Sequence, residues 1–457
     1  MAEEKSARLI MSRREMLRMT ALAGLGLVAA QCGAPATQAP QATEAAQATE
    51  APAAAPPGEK VAVRLVVMDY DENMKPDTQT LVDQFNQSQD KIEATLDVYA
   101  WGPGHDILVA QISGGQAPDL CNVSAQWLGE WASIDEVMPL DDLLSQEFLA
   151  NFVPSGVKAF IIKDQLLGMP YFLDPRAMYY RTDLFEAQGL NPPKTWADVI
   201  AAGQKLHNPP DMTGYGMAFS GKSDTGDYWW YAWLGVIGAE GNPRIWTDDG
   251  HSRFNTPEGV QATQFLVDLA QQYKITNQDF SSAGRDEELQ PLFYAGKLSM
   301  LQTGSWFPTL LKNNAPDMAY GVEMIPVAEE GTKPTTGFWP DAVLMFKQTK
   351  QPQAAAEMLQ FMFTRDNRLL FAKQRGVIPE RIDVGQDPDY AVSDTEKFFV
   401  KALETAHNTY ETPWPATFVR MLNELNVLVG RACTGELTAE DAMQQAGEFT
   451  DKLNGLA

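Results

Sequence analysis

The chain has few of the residues that build disulfide frameworks, metal sites or nucleic-acid surfaces. Its 457 residues include three cysteines and four histidines, none in a CxxC, HxH or HExxH spacing. Neither a disulfide scaffold nor a metal site is therefore expected. Lys and Arg number 35 against 60 Asp and Glu, which gives a net charge of −25. Because nucleic-acid binding needs a basic face, this charge argues against such a partner. We expect no metal and no cofactor.

An apolar run long enough to span a membrane is also missing near the N-terminus. Met19–Ala30 has 12 residues, whereas a spanning helix needs about 20. Arg13 and Arg14 precede the run, and this order of charged and apolar residues is typical of an export signal. The twin arginine resembles the signal of the Tat route, with the general secretory route as the alternative. Residues 1–31 are therefore expected to be an export signal.

The next segment has the composition of a tether. Ala29–Gly33 (AAQCG) resembles the bacterial lipobox, whose cysteine receives a lipid, so Cys32 is the expected lipidation site. Residues 34–58 are rich in Ala, Pro, Thr and Gln and contain no aromatic residue. Such a segment buries too little apolar surface to offset the entropy of ordering. We expect residues 32–58 to be a disordered, lipid-anchored linker on the outer face of the cytoplasmic membrane.

The segments that follow indicate a large α/β protein. The β-branched run Val61–Met68, the helical pattern of Thr78–Gln87 and the alternating strand Ile92–Val98 form a βαβ unit, which implies a parallel sheet. A third strand is expected at Leu120–Val123. Ligands of such sheets bind at the carboxyl ends of the strands. The residues found there are Asp69, Tyr70, Asp71, Trp101 and Ser124–Trp127.

Motifs of enzyme chemistry lack the context that they need. Gly216–Ser223 (GMAFSGKS) satisfies the P-loop string, but its strand-like residues lie inside the motif, and an acidic, glycine-rich stretch follows. No GxSxG nucleophile elbow occurs. A carboxylate pair for glycoside hydrolysis stays open, because sequence does not give the separation of two carboxylates. Nothing in the sequence requires catalysis, and we expect a protein that is not an enzyme.

Five segments in a fixed order resemble one known family. They are 112–119 (ISGGQAPD), 163–171 (KDQLLGMPY), 178–196 (MYYRTDLF to PPKTW), 293–306 (FYAGKLSM to GSW) and 376–381 (GVIPER). Together they resemble the family 1 extracellular solute-binding proteins, the substrate receptors of ABC importers, and in particular the maltose-binding-like sugar receptors. Arg181 stands where asparagine is usual in the family.

The resemblance implies a two-lobe periplasmic-binding-protein-like (type II) fold, each lobe a mainly parallel sheet flanked by helices. Crossings between lobes are expected near 171–174, 335–338 and 378–382. Lobe one would comprise 59–171 plus 338–378, and lobe two 172–337 plus 379–457. The implied function is to bind a carbohydrate, of oligosaccharide size, in the cleft by hinge closure. We expect a monomeric receptor whose partners are the permease subunits of an importer.

Sugars present apolar C–H faces and hydroxyl edges, so their receptors use aromatic platforms and bidentate polar groups. The resemblance assigns Trp306 to stacking and Asp174 to a hydroxyl contact. One member of Tyr228–Trp229–Trp230 is expected in the cleft, because adjacent side chains diverge. The full set of expected ligand-binding residues is Trp306, Asp174, Asp69, Tyr70, Trp127, Trp101, Tyr228, Trp229, Trp339, Asp341 and Trp414.

Two alternatives stay open at this point. One is a tethered extracellular carbohydrate-active hydrolase. The other keeps the receptor fold but changes the cargo to a peptide, a polyamine or a glycerophosphodiester. An acidic cleft with few tryptophans would favour a cationic cargo.

Overall fold

A computed structural model describes residues 60–70, 72–220, 227–247, 249–283, 288–390, 393–408 and 416–456. The expected export signal, the linker with Cys32, and Trp414 lie outside these residues, as do Gly221–Ser223 of the P-loop string. Within the described ranges, no helix combines the length and apolar character needed to cross a bilayer.

The largest sheet in the described ranges has five strands. In chain order they are β1 (Val61–Asp69), β2 (Ile92–Ala100), β3 (Leu120–Ser124), β6 (Met169–Phe172) and β11 (Asp341–Met345). Their order across the sheet is β2-β1-β3-β11-β6. β1 is parallel to β2 and β3, whereas β11 is antiparallel to both of its neighbours. The βαβ unit expected from the sequence is thus confirmed.

A second sheet has three strands in the order β8-β7-β9. They are β7 (Arg176–Tyr180), β8 (Met300–Gly304) and β9 (Gly321–Glu323). Both pairs are antiparallel, so the expectation of a mainly parallel sheet in each lobe is wrong for this part of the chain. More than a hundred residues separate β7 from β8, and short apolar runs carry no information on strand direction. Short strands complete the set: β4 (Ile161–Ile162), β5 (Gln165–Leu166), β10 (Gly337–Phe338) and β12 (His407–Asn408).

Helices cover the sheets and form most of the remaining chain. They are α1 (Met74–Ser88), α2 (Trp101–Ser113), α3 (Ala125–Ser133), α4 (Gln146–Leu149), α5 (Pro154–Lys158), α6 (Thr182–Gln188), α7 (Trp196–Leu206), α8 (Asp227–Ile237), α9 (Pro257–Val267), α10 (Gln290–Tyr294), α11 (Phe307–Asn314), α12 (Pro352–Met362), α13 (Arg365–Arg375), α14 (Ile382–Gly385), α15 (Asp394–Ala402), α16 (Phe418–Cys433) and α17 (Ala439–Leu453). A π-helical turn, Asp268–Gln272, extends α9, and a 3₁₀ turn, Leu403–Thr405, extends α15.

Local sequence explains where several helices begin. Thr195 and Ser393 each form a capping box with the acidic residue three positions later, and so satisfy amide groups at the starts of α7 and α15. Thr195 is thus the cap of α7, which runs from Trp196 to Leu206. Pro257 and Pro352 occupy first-turn positions, where the missing amide hydrogen costs nothing.

Backbone hydrogen bonds join three chain segments, which are 173–175, 339–340 and the one that contains Ile378. Residues 173–175 join β6 to β7, and 339–340 join β10 to β11. The Trp339 amide donates to the Asp174 carbonyl over 3.1 Å, and the Leu173 amide donates to the Ile378 carbonyl over 2.9 Å. The first segment overlaps the crossing expected near 171–174, the second follows the one expected near 335–338, and Ile378 begins the one expected near 378–382.

Candidate functional site

One edge of the five-stranded sheet brings together residues that are far apart in sequence. Asp69 ends β1 opposite Ala100, the last residue of β2. Ser124 ends β3 opposite Asp341, and Asp341 also faces Phe172 at the end of β6. Parallel strands expose their carboxyl ends at one edge, which is the usual ligand edge of such sheets. The sheet therefore presents Asp69, Ser124, Asp341 and Phe172 on one side.

The second sheet supplies the opposite wall. Arg176, at the start of β7, pairs with Gly304 at the end of β8. Trp306 follows β8 directly and is half-buried. A side chain at position 304 would collide with the Trp306 indole, because an added Cβ would lie 1.8 Å from its Cζ3 atom. Glycine at 304 therefore lets the indole fold back over the end of the strand.

A cavity of about 370 Å³ lies between these walls, within the size range of small-molecule sites. Its lining combines indoles, carboxylates, amides and one guanidinium group. The lining residues are Asp69, Tyr70, Trp101, Gly102, Ser124, Gln126, Phe172, Asp174, Arg176, Glu288, Gln290, Trp306, Trp339 and Asp341. The structure thus brings together seven of the expected site residues: Asp69, Tyr70, Trp101, Asp174, Trp306, Trp339 and Asp341.

A hydrogen bond joins Tyr70, which follows β1, to Asp341, which begins β11. The Tyr70 hydroxyl donates to Asp341 Oδ2, while Asn122 Nδ2 donates to the Tyr70 oxygen over 3.0 Å. Burial raises the pKa of Tyr70 well above its usual value, and the charge of Asp341 adds to this rise. Tyr70 therefore stays neutral and remains a hydrogen-bond donor over the physiological pH range.

Asp174 and Arg176 are the most buried ionisable side chains in the cavity wall. An Arg176 terminal nitrogen lies 3.0 Å from Asp174 Oδ2 and another lies 3.7 Å from Asp227 Oδ2. Burial raises the pKa of Asp174 to about 8, Arg176 acts against this rise, and Asp341 and Asp227 add to it. Asp174 therefore holds a proton for much of the neutral pH range, which makes its carboxyl group able to donate as well as accept.

The guanidinium of Arg176 also lies against two indoles of the cavity. Its Cζ atom is 4.7 Å from the Trp306 ring centroid and 5.1 Å from that of Trp339. Such contacts between a buried cation and an aromatic face are attractive. Arg176 therefore contacts both tryptophans at once and stabilises their position in the cavity wall.

The structure corrects the expectation that Trp127 lines the ligand site. Its side chain is fully buried, and the neighbouring Gln126 lines the cavity instead. Both lie at the start of α3, where successive side chains point in directions about 100° apart. The Trp127 ring packs edge-on against Trp101 at 5.5 Å and against Trp131 at 5.9 Å. Trp127 supports the wall residue Trp101 from behind.

Tyr228 and Trp229 were also expected in the ligand site, but neither of them lines the cavity. Trp230 is likewise absent from the lining. All three are buried in α8, whose residues from Asp227 to Gly235 are buried on every face. A helix that is apolar all round packs inside the core. Trp229 stacks on Trp233 at 5.4 Å and its indole nitrogen donates to the Thr263 hydroxyl over 3.1 Å.

Sequence reasoning missed Gly102, Phe172, Arg176, Glu288 and Gln290 as site residues. A signal existed for two of them, because Phe172, Asp174 and Arg176 alternate along an extended segment, and alternate residues share a face. Gln290 Nε2 donates to the Thr303 hydroxyl on β8 over 3.0 Å. That long-range contact leaves no local trace in the sequence.

Chemically, the cavity can stack an apolar ring face and hydrogen-bond its polar edge. Trp101, Trp306 and Trp339 provide aromatic surface, while Gln126 and the carboxyl groups provide planar donors and acceptors. Within the described ranges, no group of three or more His, Cys, Asp or Glu side chains is arranged to hold a metal ion.

Comparisons with known proteins agree with this architecture. A relative from Escherichia coli K12, the sn-glycerol-3-phosphate-binding periplasmic protein UgpB, is 26% identical over 76% of this chain and 81% of its own length. A binding protein of Brucella abortus strain 2308 is 28% identical over 75% of this chain and 81% of its own length.

Two solved structures share the fold of this chain. A Thermotoga lettingae ABC transporter solute-binding protein with bound alpha-D-tagatose has a TM-score of 0.77 and 21% identity over 86% of this chain and 99% of that one. Maltose-bound MalE3 of T. maritima has a TM-score of 0.74 and 20% identity over 86% of this chain and 100% of that one. The fold is thus that of the two-lobe periplasmic binding proteins. The model of the bacterial extracellular solute-binding protein family matches residues 71–368, and the chain belongs to this family.

Proposed function

We propose that this chain is the substrate receptor of an ABC importer and binds a carbohydrate in the cavity between its two sheets. The observation that carries the proposal is the composition of that cavity, in which three indoles lie among carboxylates, amides and a guanidinium group. This combination suits the alternating apolar and hydroxylated surface of a sugar. The names of the structural neighbours that contain tagatose and maltose support the same class of ligand.

The two sheets are proposed to be the cores of two lobes, 59–171 plus 338–378 and 172–337 plus 379–457. The segments at 173–175, 336–340 and 378 are proposed to be the hinge. A ligand stabilises the closed form only through contacts with both lobes. Tyr70 and Asp341 on the five-stranded sheet, and Arg176 and Trp306 beside the three-stranded sheet, line one cavity and so meet this condition.

Export, lipidation of Cys32, a monomeric receptor and delivery of the sugar to permease subunits complete the proposal. The AAQCG segment and the Ala/Pro-rich linker support an anchored receptor whose folded part stays near the membrane. Mass spectrometry of the protein from its native membrane would test the anchor, since lipidation and cleavage give a peptide that begins at a modified Cys32.

A thermal-shift screen of the purified protein across mono- and oligosaccharides tests the function. A ligand that binds the folded state raises the melting temperature in proportion to the logarithm of its concentration. The proposal expects such stabilisation with the sugar recovered intact. If no carbohydrate raises the melting temperature, the proposed ligand class is wrong.

One observation favours a hydrolase as the second candidate. A buried carboxyl group whose pKa is raised to about 8, as for Asp174, resembles the general acid of a glycosidase. Overnight incubation with the sugars that bind distinguishes the two functions. Reducing-end products that disappear in Asp174→Asn would favour the hydrolase, and unchanged sugar favours the receptor.

A further inference from the structure

The cavity contains more acidic than basic groups. Four carboxyl side chains line it, and Arg176 is the one cationic side chain among the described lining residues. Asp69 and Glu288 are exposed, whereas Asp174 and Asp341 are 4% and 8% exposed. Negative charge is thus present both at the accessible surface of the cavity and in its depth.

The positive charge of Arg176 is already engaged. It forms ion pairs with Asp174 and Asp227 at 3.0 and 3.7 Å, and the rings of Trp306 and Trp339 lie against its guanidinium. A ligand anion would therefore compete with two carboxyl groups and two indoles for this residue. It would also approach Asp341, whose carboxylate accepts the Tyr70 hydrogen bond.

Asp174 provides an independent indication of a hydroxylated ligand. It is nearly fully buried in the cavity wall, and its Oδ1 atom has no hydrogen-bond partner among the described residues. A buried carboxyl oxygen without a partner costs free energy, which a ligand hydroxyl group would recover. A phosphate dianion placed there would lie near the carboxylate of Asp341, whose charge already acts on Asp174.

We infer that the cavity selects sugars without a negatively charged group and rejects their phosphate esters. This specificity rests on the proposed function and differs from the ligand named for the Escherichia coli relative, sn-glycerol 3-phosphate. Asp341 acts as its determinant, because it is the buried carboxylate beside which a ligand phosphate would have to lie.

Matched pairs of ligands test the inference by isothermal titration calorimetry at pH 7. The pairs are D-tagatose with D-tagatose 6-phosphate, maltose with maltose 1-phosphate, and glycerol with sn-glycerol 3-phosphate. Wherever either member of a pair binds, we expect the neutral one to bind at least ten-fold more tightly, which corresponds to about 1.4 kcal/mol. Added salt should narrow the difference, because it screens repulsion between charges.

The outcomes separate the two proposals. A phosphate ester that binds as tightly as its neutral parent overturns the charge selection but leaves a sugar receptor. A panel in which no compound binds contradicts the proposed function and, with it, the ligand class inferred here.

A single variant tests this determinant. Asp341→Asn removes the buried carboxylate, and the new amide oxygen still accepts from Tyr70. We expect the affinity ratio of neutral sugar to phosphate ester to fall at least ten-fold. Glu357→Gln removes the same formal charge from an exposed helix position and should leave the ratio unchanged. An equal ratio in the two variants overturns the inference, and if Asp341→Asn does not fold, the salt series on the natural chain decides.

Discussion

Arg176 lies against Trp306, with its guanidinium carbon 4.7 Å from the indole centroid. The same guanidinium is 5.1 Å from the Trp339 ring and forms an ion pair with Asp174. One side chain thus connects the end of the three-stranded sheet with the segment that leads back to the five-stranded sheet. The aromatic surfaces of the cavity are therefore held in place before a ligand arrives, which reduces the ordering cost of binding.

Replacing Trp306 should weaken sugar binding. Trp306→Ala removes an indole that lines the cavity, and we expect the dissociation constant to rise at least ten-fold, or about 1.4 kcal/mol. Titration calorimetry with the sugar found in the screen measures the change. Trp196→Ala is the matched control, because Trp196 is also half-buried but stacks on Phe265 outside the cavity. Equal affinity in Trp306→Ala and the natural chain would remove Trp306 from the site.

Gly304→Ala should reproduce much of that loss without touching the indole itself. The added Cβ would lie 1.8 Å from Cζ3 of Trp306, so the ring must move from the cavity wall. We expect weaker sugar binding and a changed tryptophan fluorescence spectrum. Gly385→Ala, where the nearest atom to an added Cβ is 3.7 Å away, serves as the control. Unchanged fluorescence and affinity in Gly304→Ala would show that this packing does not position Trp306.

Trp229 should matter for stability and not for binding. Trp229→Phe removes the hydrogen bond to Thr263 and part of the stacking on Trp233. We expect a loss of about 1–3 kcal/mol in the free energy of unfolding, measured by urea denaturation. The dissociation constant for the sugar should change less than two-fold. A large loss of affinity with little loss of stability would return Trp229 to the ligand site.

Asp174 should make stability depend on pH. Its pKa is raised from 3.8 to about 8 by burial, with Asp341 and Asp227 adding to the rise and Arg176 opposing it. The folded state therefore holds a proton that the unfolded chain releases near pH 4. This contribution is fully present below that pH and is lost as the pH rises towards 8. Between pH 5 and 8, the melting temperature of the natural chain should fall relative to that of Asp174→Asn. Parallel profiles of melting temperature against pH for the two proteins would contradict the prediction.

Secondary structure and the sheet edge could be predicted because their signals are local. The β-branched run of β1 and the alternation of β2 fix both strands, and Thr195 marks the start of α7. The rule that ligands bind at the ends of parallel strands indicated Asp69, Tyr70 and Trp101, and all three line the cavity. The directions of β8 and β11 depend on distant parts of the chain, and no local pattern carries them.

The direction of individual side chains was the main source of error within the site. Trp127 was expected at the cavity, but Gln126 faces it because a helix begins there. Tyr228 and Trp229 were expected there because they are aromatic, yet their helix is buried on every face. Arg176 was not among the expected residues, and it lies 6% exposed between two indoles.

The coupling between Arg176 and Asp174 is accessible to a double-mutant cycle. Arg176→Met leaves buried carboxyl groups without their cation, which should cost about 3–5 kcal/mol of unfolding free energy. In the Asp174→Asn background the same substitution should cost at least 1 kcal/mol less, because one of the two carboxyl groups is already neutral. Urea denaturation of the four proteins at pH 8.5 gives the coupling energy, since Asp174 is then largely ionised. Arg431→Met, at an exposed arginine side chain paired with the exposed Glu436, is the control and should cost about 1 kcal/mol or less. Additive effects of the two cavity substitutions would mean that Asp174 does not help to hold Arg176.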